Sequence, residues 1–399
     1  MSLCFYGCIE PFEAEFVDFE SAIVVEATIT NEMKQQQVFL TRTFEFEADG
    51  PSAESNANVR VIAGNLTFNF EETDPGVYVS TQAFAARPDT AYQLRIDTQD
   101  GRSYRSDETI LPPINQSYGA RAERMTNDDG IDGIAILVDS FDPTGNSLNY
   151  RYTYEETYRI IAPKWSPFDL IPVPLPGPLE ERLERPCAMI KILKDIEEES
   201  RICYATDFSN KIILTNTSDL QEDRVSNFMV HFINRNNYII SHRYSILVKQ
   251  FVQSNTAFTF YETLEQFSGS ESLFSETQPG FLEGNVFSEQ DREEKVLGFF
   301  DVASVKEQRI FFNYTDLYPG EPLPPFVSPC REIAPPEETI DRFCLLQDLY
   351  ALNTTRFYDD NINPQIGVDD VEGPFLLVPR VCGDCTVLGE PEVPEFWTE

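Results

Sequence analysis

Along residues 20–112, apolar and polar positions alternate in short runs separated by turn residues, the period-two signature of strands buried on one face. Ala22–Thr30 and Val38–Phe44 are β-rich, and Val59–Ile62, Thr67–Phe70 and Val77–Ser80 follow at short spacing. Asp74-Pro75-Gly76 marks a turn among them. Tyr92–Ile96 and Ser103–Arg105 flank Asp100-Gly101, a dipeptide expected to place both turn positions at positive φ in a tight hairpin. About seven short strands at this spacing predict an immunoglobulin-like or fibronectin-like β-sandwich over residues 9–115. Leu111-Pro112-Pro113 is the expected linker out of it.

Extended patterning resumes over residues 116–315, predicting a second, larger β-rich domain. Its candidate strands are Ile134–Val138, Asn149–Ile161, Ile190–Leu193, Lys211–Leu214, Phe228–Ile233, Tyr238–Phe251, Val296–Phe300 and Arg309–Phe312. The period changes once, where Ala257, Phe260, Tyr261, Leu264 and Phe267 fall at helical spacing and predict a helix over Thr256–Phe267. The fold class expected is therefore mainly β, with a few helices.

Proline breaks the pattern at residues 162–178, where Pro163, Pro167, Pro172, Pro174, Pro176 and Pro178 forbid a helix or a central strand. The segment is expected to be an extended arm that reaches a partner or wraps its own domain. Trp165 within it is costly to expose unless it packs or binds, so Trp165, Pro163 and Pro167 are candidate contact residues. Residues 316–399 are proline-punctuated and acidic, with one helix expected from Glu337 to about Ala351.

Composition narrows the function. With 67 acidic residues against 30 basic ones, the net charge is −37, which repels phosphate backbones and argues against nucleic-acid binding. A content of 41% hydrophobic residues in 399 supports packed cores in two or three domains. No apolar run approaches the length of a membrane span, so any membrane attachment is expected to be covalent or through a partner.

Catalytic residues are poorly supplied. The two histidines, His231 and His242, both fall in predicted strands, where a structural role is the better reading. No nucleophile elbow, zinc-protease helix, phosphate loop or dinucleotide turn is present. A carboxylate pair for glycoside hydrolysis cannot be discriminated among so many acids. Asn127–Gly133, with Asp128, Asp129 and Asp132, has the oxygen-rich character of a calcium loop but lacks its terminal glutamate; a solvated β-turn is the stronger expectation. No cofactor is expected beyond that weak calcium candidate and a covalent lipid.

The lipid follows from Leu3-Cys4-Phe5-Tyr6-Gly7-Cys8, in which apolar residues, a small residue and a cysteine form a bacterial lipoprotein cut site. Cys8 would carry the acyl chains, residues 1–8 being the remnant of a signal whose start lies upstream. An ordinary N-terminus with two buried cysteines is the alternative. The remaining six cysteines, Cys187, Cys203, Cys330, Cys344, Cys382 and Cys385, fit a disulfide framework in an oxidising compartment. Cys187 with Cys203, and the other four among themselves, is the pairing expected, which makes 316–399 a disulfide-stabilised extension. A redox or zinc role for Cys382-x-x-Cys385 lacks the βαβ context or the second ligand pair it needs.

Several segments together resemble a family of Bacteroidota surface lipoproteins, a domain of unknown function encoded beside TonB-dependent outer-membrane receptors. They are Cys8–Phe12, Tyr92–Ile96 with Asp100-Gly101, Phe274-Ser275, Gln278-Pro279-Gly280, Gly284-Asn285-Val286, Val296–Phe300, Arg309–Phe311, Cys382–Thr386 and Pro394–Trp397. The resemblance spans Cys8 to Trp397 and implies location and company, with no catalytic residues to carry over. Glu10 and Glu13 also resemble an acidic surface-export tag. The expected protein is a non-enzymatic lipoprotein on the outer-membrane surface, docking on a TonB-dependent β-barrel receptor to capture or retain a ligand. The alternatives are a structural subunit of an outer-membrane assembly or secretion complex, an adhesin, or a surface glycan hydrolase.

Overall fold

Twenty-two strands and four α-helices follow one another in a computed structural model that describes residues 21–44, 50–173, 187–194, 200–269, 282–337, 344–362, 364 and 372–399. In chain order the first strands are β1 (Ile23–Thr30), β2 (Gln37–Arg42), β3 (Ser52–Ala53), β4 (Asn58–Ala63), β5 (Leu66–Asp74), β6 (Val77–Ser80), β7 (Ala91–Asp97), β8 (Ser103–Ser106) and β9 (Thr109–Ile110). Then come β10 (Ser117–Thr126), β11 (Asp132–Asp142), β12 (Asn149–Ile161), β13 (Phe168–Pro172), β14 (Met189–Leu193), β15 (Ile202–Phe208), β16 (Ile213–Asn216), β17 (Asp223–Asn234) and β18 (Arg243–Val252). Helix α1 (Asn255–Gly269) precedes β19 (Val286–Ser288) and β20 (Val296–Asn313). Helices α2 (Tyr314–Leu317) and α3 (Leu345–Ala351), strands β21 (Thr355–Asp360) and β22 (Phe375–Pro379), and helix α4 (Arg380–Gly383) complete the chain. The mainly β class with few helices is as the patterning predicts.

The chain divides into two units, and the division differs from the sequential one expected. The first unit is residues 1–113 with 253–305; the second is 114–252 with 306–399. The expected domain at 116–315 is thus split: α1, β19 and most of β20 belong with the N-terminal strands, and the C-terminal extension belongs with β10–β18. Strand pairing is the physical reason. β20 lies parallel to β1 from Ile23↔Val296 to Thr30↔Ala303, a long-range pairing that local sequence cannot announce.

In the first unit, alternation puts Ile23, Val25, Ala27 and Ile29 of β1 in the same apolar cluster as Tyr92, Leu94 and Ile96 of β7. Gln93 and Arg95 between them point the other way, as a period of two requires. Hydrogen bonding runs unbroken in the order β20-β1-β2-β6-β5-β4-β7-β8-β19. The turn at Asp100-Gly101 differs from expectation, because Gly101 alone has positive φ, at 88°. The Gly101 N–H donates to the Thr98 carbonyl and the Thr98 N–H to the Arg102 carbonyl, the pattern of a type I turn closed by a left-handed glycine.

Helix α1 confirms the change of period. Ser254 caps it, its Oγ accepting from the Ala257 N–H at 3.2 Å. Ala257 and Phe260 are buried against Phe299, with the Phe260 and Phe299 rings 5.0 Å apart. Phe267, at the end of the predicted stripe, is exposed.

Gly298 sits where a side chain does not fit. Its φ is +98°, and an added Cβ would lie 1.8 Å from the Val25 carbonyl oxygen. Gly284 meets Gly298 as closely, and the Asn285 side chain brackets the β20 backbone, donating to the Phe300 carbonyl and accepting from its N–H, both at 2.8 Å. The segments Gly284–Val286 and Val296–Phe300, singled out in the sequence, are therefore a structural joint.

The second unit holds a sandwich of its own. Sheet β10-β11-β17 and strands β15, β12 and β18 contribute Ile134, Ile136, Val138, Tyr158, Ile246 and Val248, among others, to one core. This core is rich in tyrosine, and each buried hydroxyl has a partner, as burial of a polar group demands. Tyr150 donates to Asp223 at 2.7 Å, Tyr158 to Asp207 at 3.0 Å and Tyr244 to Glu156 at 2.5 Å, while Tyr152 accepts from Gln250 at 2.8 Å.

Candidate functional site

The proline arm departs most from its sequence reading. Phe168–Pro172 pairs antiparallel with Met189–Leu193, so part of the arm is a two-stranded ribbon that ends at Pro172, an edge position proline tolerates. Pro174, Pro176 and Pro178 lie outside the described residues. One face of the ribbon is buried: Leu170 and Met189 pack with Leu346, Phe357 and Leu377 from the C-terminal segment. The arm and the C-terminal extension thus share one small core.

The opposite face carries Ile171, Ile190 and Ile192, each exposed by 36 to 41%. Ile171 and Ile190 are directly paired across the ribbon, so the three form a contiguous aliphatic surface. The sequence placed the contact residues at Trp165, Pro163 and Pro167. Pro163 and Pro167 are exposed, but Trp165 is half-buried against the sandwich core. Its ring lies 5.5 Å from the Lys194 ammonium and 5.8 Å from the Arg201 guanidinium, which accounts for a tryptophan in this loop.

All six candidate cysteines are bonded, in pairs other than those expected: Cys187–Cys344, Cys203–Cys385 and Cys330–Cys382. The Cys187–Cys203 pairing is corrected because each partner is tied to the C-terminal segment. Neither end of Cys382-x-x-Cys385 pairs with the other, which removes the redox reading of that motif. Between them, Asp384 is buried. Burial pushes its carboxyl pKa up, but hydrogen bonds from Thr386 and Arg380 and the charge of Arg356 outweigh this and hold it below the usual range. Helix α3 begins at Leu345; the residues 338–343 expected at its start lie outside the described residues.

The remaining candidates resolve into structure. Asn127 Oδ1 accepts from the N–H groups of Asp129 and Ile131, making the turn before β11 an Asx turn. Asp128 and Asp129 are exposed, whereas Asp132 is held by Arg124 at 2.8 Å and Arg235 at 3.5 Å. Hydrogen bonds from Arg124 keep the Asp132 carboxyl below its usual pKa. The calcium candidates are not brought together, and among the described residues no group of three or more His, Cys, Asp or Glu is placed to hold a metal.

His231 lies in β17 with its Nε2 3.3 Å from Glu156 and its ring stacked on Tyr154 at 4.4 Å. His242 precedes β18 rather than lying within it, and burial, with Arg159 nearby, lowers its pKa. Cys8 and Cys4 lie outside the described residues.

A cavity in the first unit was not anticipated. Its volume is about 570 Å³, and Met33, Leu66, Phe68, Phe84 and Tyr92 form its apolar wall. Phe68 and Phe84 stack face to face at 3.8 Å. Their wide spacing, from the β1–β2 loop to the start of β7, leaves no local motif.

Comparison with known proteins supplies a family. The domain described as Domain of unknown function (DUF4249) matches residues 9–309. The chain belongs to that family. The DUF4249 match covers the whole described first unit and ends within β20. No curated protein matches the chain significantly. Among solved structures, a biofilm-associated protein, BSP domain, aligns at 6% identity over 75% of this chain, with a TM-score of 0.13. The chain spans 62% of that protein's length, and so weak a likeness supports no argument about fold or function.

Proposed function

We propose that this DUF4249 chain is a non-enzymatic surface lipoprotein, anchored through Cys8, that docks on a TonB-dependent outer-membrane receptor and helps it capture or retain a ligand. The observation that carries the docking role is the β13–β14 ribbon. It presents Ile171, Ile190 and Ile192 outward while its other face is packed, and Cys187 beside it is bonded to Cys344. Paired aliphatic side chains exposed on a braced ribbon are costly to leave in water and suit a partner surface. Three disulfides support residence in an oxidising compartment. Acyl chains contribute about 0.8 kcal/mol per buried CH₂, so a multiply acylated Cys8 holds even a strongly acidic body at the membrane.

The test is crosslinked affinity purification from the native membrane. The intact chain is expected to recover a TonB-dependent receptor, and a variant with Ile171→Asp and Ile190→Asp to lose it while keeping its circular dichroism. Equal recovery by both overturns the docking face, and recovery of assembly machinery instead overturns the transport role. Cys8→Ala is expected to release the protein from membranes; continued tight association overturns the anchor.

A further inference from the structure

The first-unit cavity combines three properties. It lies within the volume range of small-molecule sites, at about 570 Å³. Two large apolar side chains at its edge are held in water, Met33 at 70% exposure and Leu66 at 59%. A pair of opposite charges, Arg87 and Asp89, also lines it.

The Arg87 charge is unusual for the first unit. Among the described arginines of the first unit, Arg42, Arg60, Arg95, Arg102 and Arg105 each lie against a carboxylate, and Arg292 lies over the Phe287 ring. Arg87 has neither. Asp89, two residues away in a left-handed conformation with φ 57°, likewise has no ion pair among the described residues. Among the described residues, a cation and an anion without ion-pair partners thus share one concave surface of mixed polarity.

The wall between them is braced before any ligand arrives. Gln36 is fully buried, and its amide donates to the carbonyls of Phe84 at 2.8 Å and Glu32 at 3.1 Å while accepting from the Thr30 N–H at 3.2 Å. Lys34 and Phe84 pair as an isolated bridge, and the Ala86 N–H donates to Thr30. On the other side, the Arg87 N–H donates to the Tyr92 hydroxyl at 2.8 Å. Backbone fixed in this way leaves only the exposed side chains to be ordered on binding.

We infer that this cavity binds a small apolar zwitterion: a short peptide or amino acid whose carboxylate meets Arg87, whose ammonium meets Asp89 and whose apolar side chain lies against Leu66 and Phe68. The net charge of −37 supports a zwitterion over an anion, since the surrounding field repels free anions and leaves a neutral dipole unopposed. This site does not depend on the receptor-docking role, and either can fail without the other.

The experiment is calorimetric titration of the full chain with the free dipeptide phenylalanyl-leucine and with its N-acetyl, C-amide form. The free dipeptide is expected to bind, and the capped form to bind at least about tenfold more weakly, with a similar loss in Arg87→Ala and in Asp89→Asn. Both side chains are exposed, so these variants are expected to keep the native hydrogen-exchange pattern. Leu66→Asp is expected to abolish binding by filling the apolar wall with charge. No binding of the free dipeptide up to about 10 mM overturns the inference, as does equal binding of the free and capped forms or an unchanged affinity in Arg87→Ala.

Discussion

The two units solve the same problem by different means. In the first, one large apolar cluster runs through β1, β2, β4, β7 and their neighbours, and its described residues include no cysteine. In the second, the sandwich has a comparable core, but among the described residues the small core shared by the C-terminal segment and the arm has five buried apolar residues. Among the described residues, each of the three disulfides ties that segment. Where apolar burial is ample, close backbone packing is enough; where it is scant, covalent links limit the unfolded ensemble instead.

The sharpest way to break the first half of that contrast is Gly298→Ala. The new Cβ meets the Val25 carbonyl in a left-handed backbone conformation, and a loss of about 4 kcal/mol is expected. Hydrogen exchange resolved by strand should show the loss in β1 and β20 and leave β21 and β22 protected. Equal loss in both places would mean the units do not hold their stability separately.

The second half is broken by Cys203→Ser with Cys385→Ser. About 2–5 kcal/mol should be lost, read as faster exchange around Tyr204 and the C-terminal segment, with β4 and β7 unaffected. A smaller effect is expected at Asp384. Its folded-state pKa lies below the value of about 3.9 for an unfolded aspartate, so its stabilising contribution is complete above that value and disappears as pH falls through the lowered one. Asp384→Asn should cost about 1–3 kcal/mol at neutral pH. It should also flatten the acid limb of the second unit's stability curve, while an unchanged limb would assign that limb to other carboxylates.

The smallest effect expected is that of Arg159→Ala. It removes a 2.9 Å ion pair to the exposed carboxylate of Glu399, and should change stability by less than about 1 kcal/mol in thermal melts at moderate salt. A larger loss would extend the tethering role from disulfides to surface charge.

Local pattern determined the strands of this protein well. Asn149–Ile161 and Val77–Ser80 form as the alternation predicts, and the helical stripe from Ala257 to Leu264 packs as a helix, because side-chain direction repeats every two residues in one and every 3.6 in the other. The even set of six cysteines likewise indicated a disulfide framework. Long-range pairing was decided only by the tertiary structure. β20 returns to β1 across a whole intervening stretch of chain, Cys187 pairs with Cys344 rather than with its neighbour Cys203, and Pro172 sits at the edge of a ribbon. The cavity belongs to the same class, since Met33, Leu66, Phe84 and Arg87 share no spacing and meet only when three loops are set by Gln36 and the sheet. Periodicity is a property of neighbours along the chain, whereas partners and cavities depend on which distant segments burial brings together.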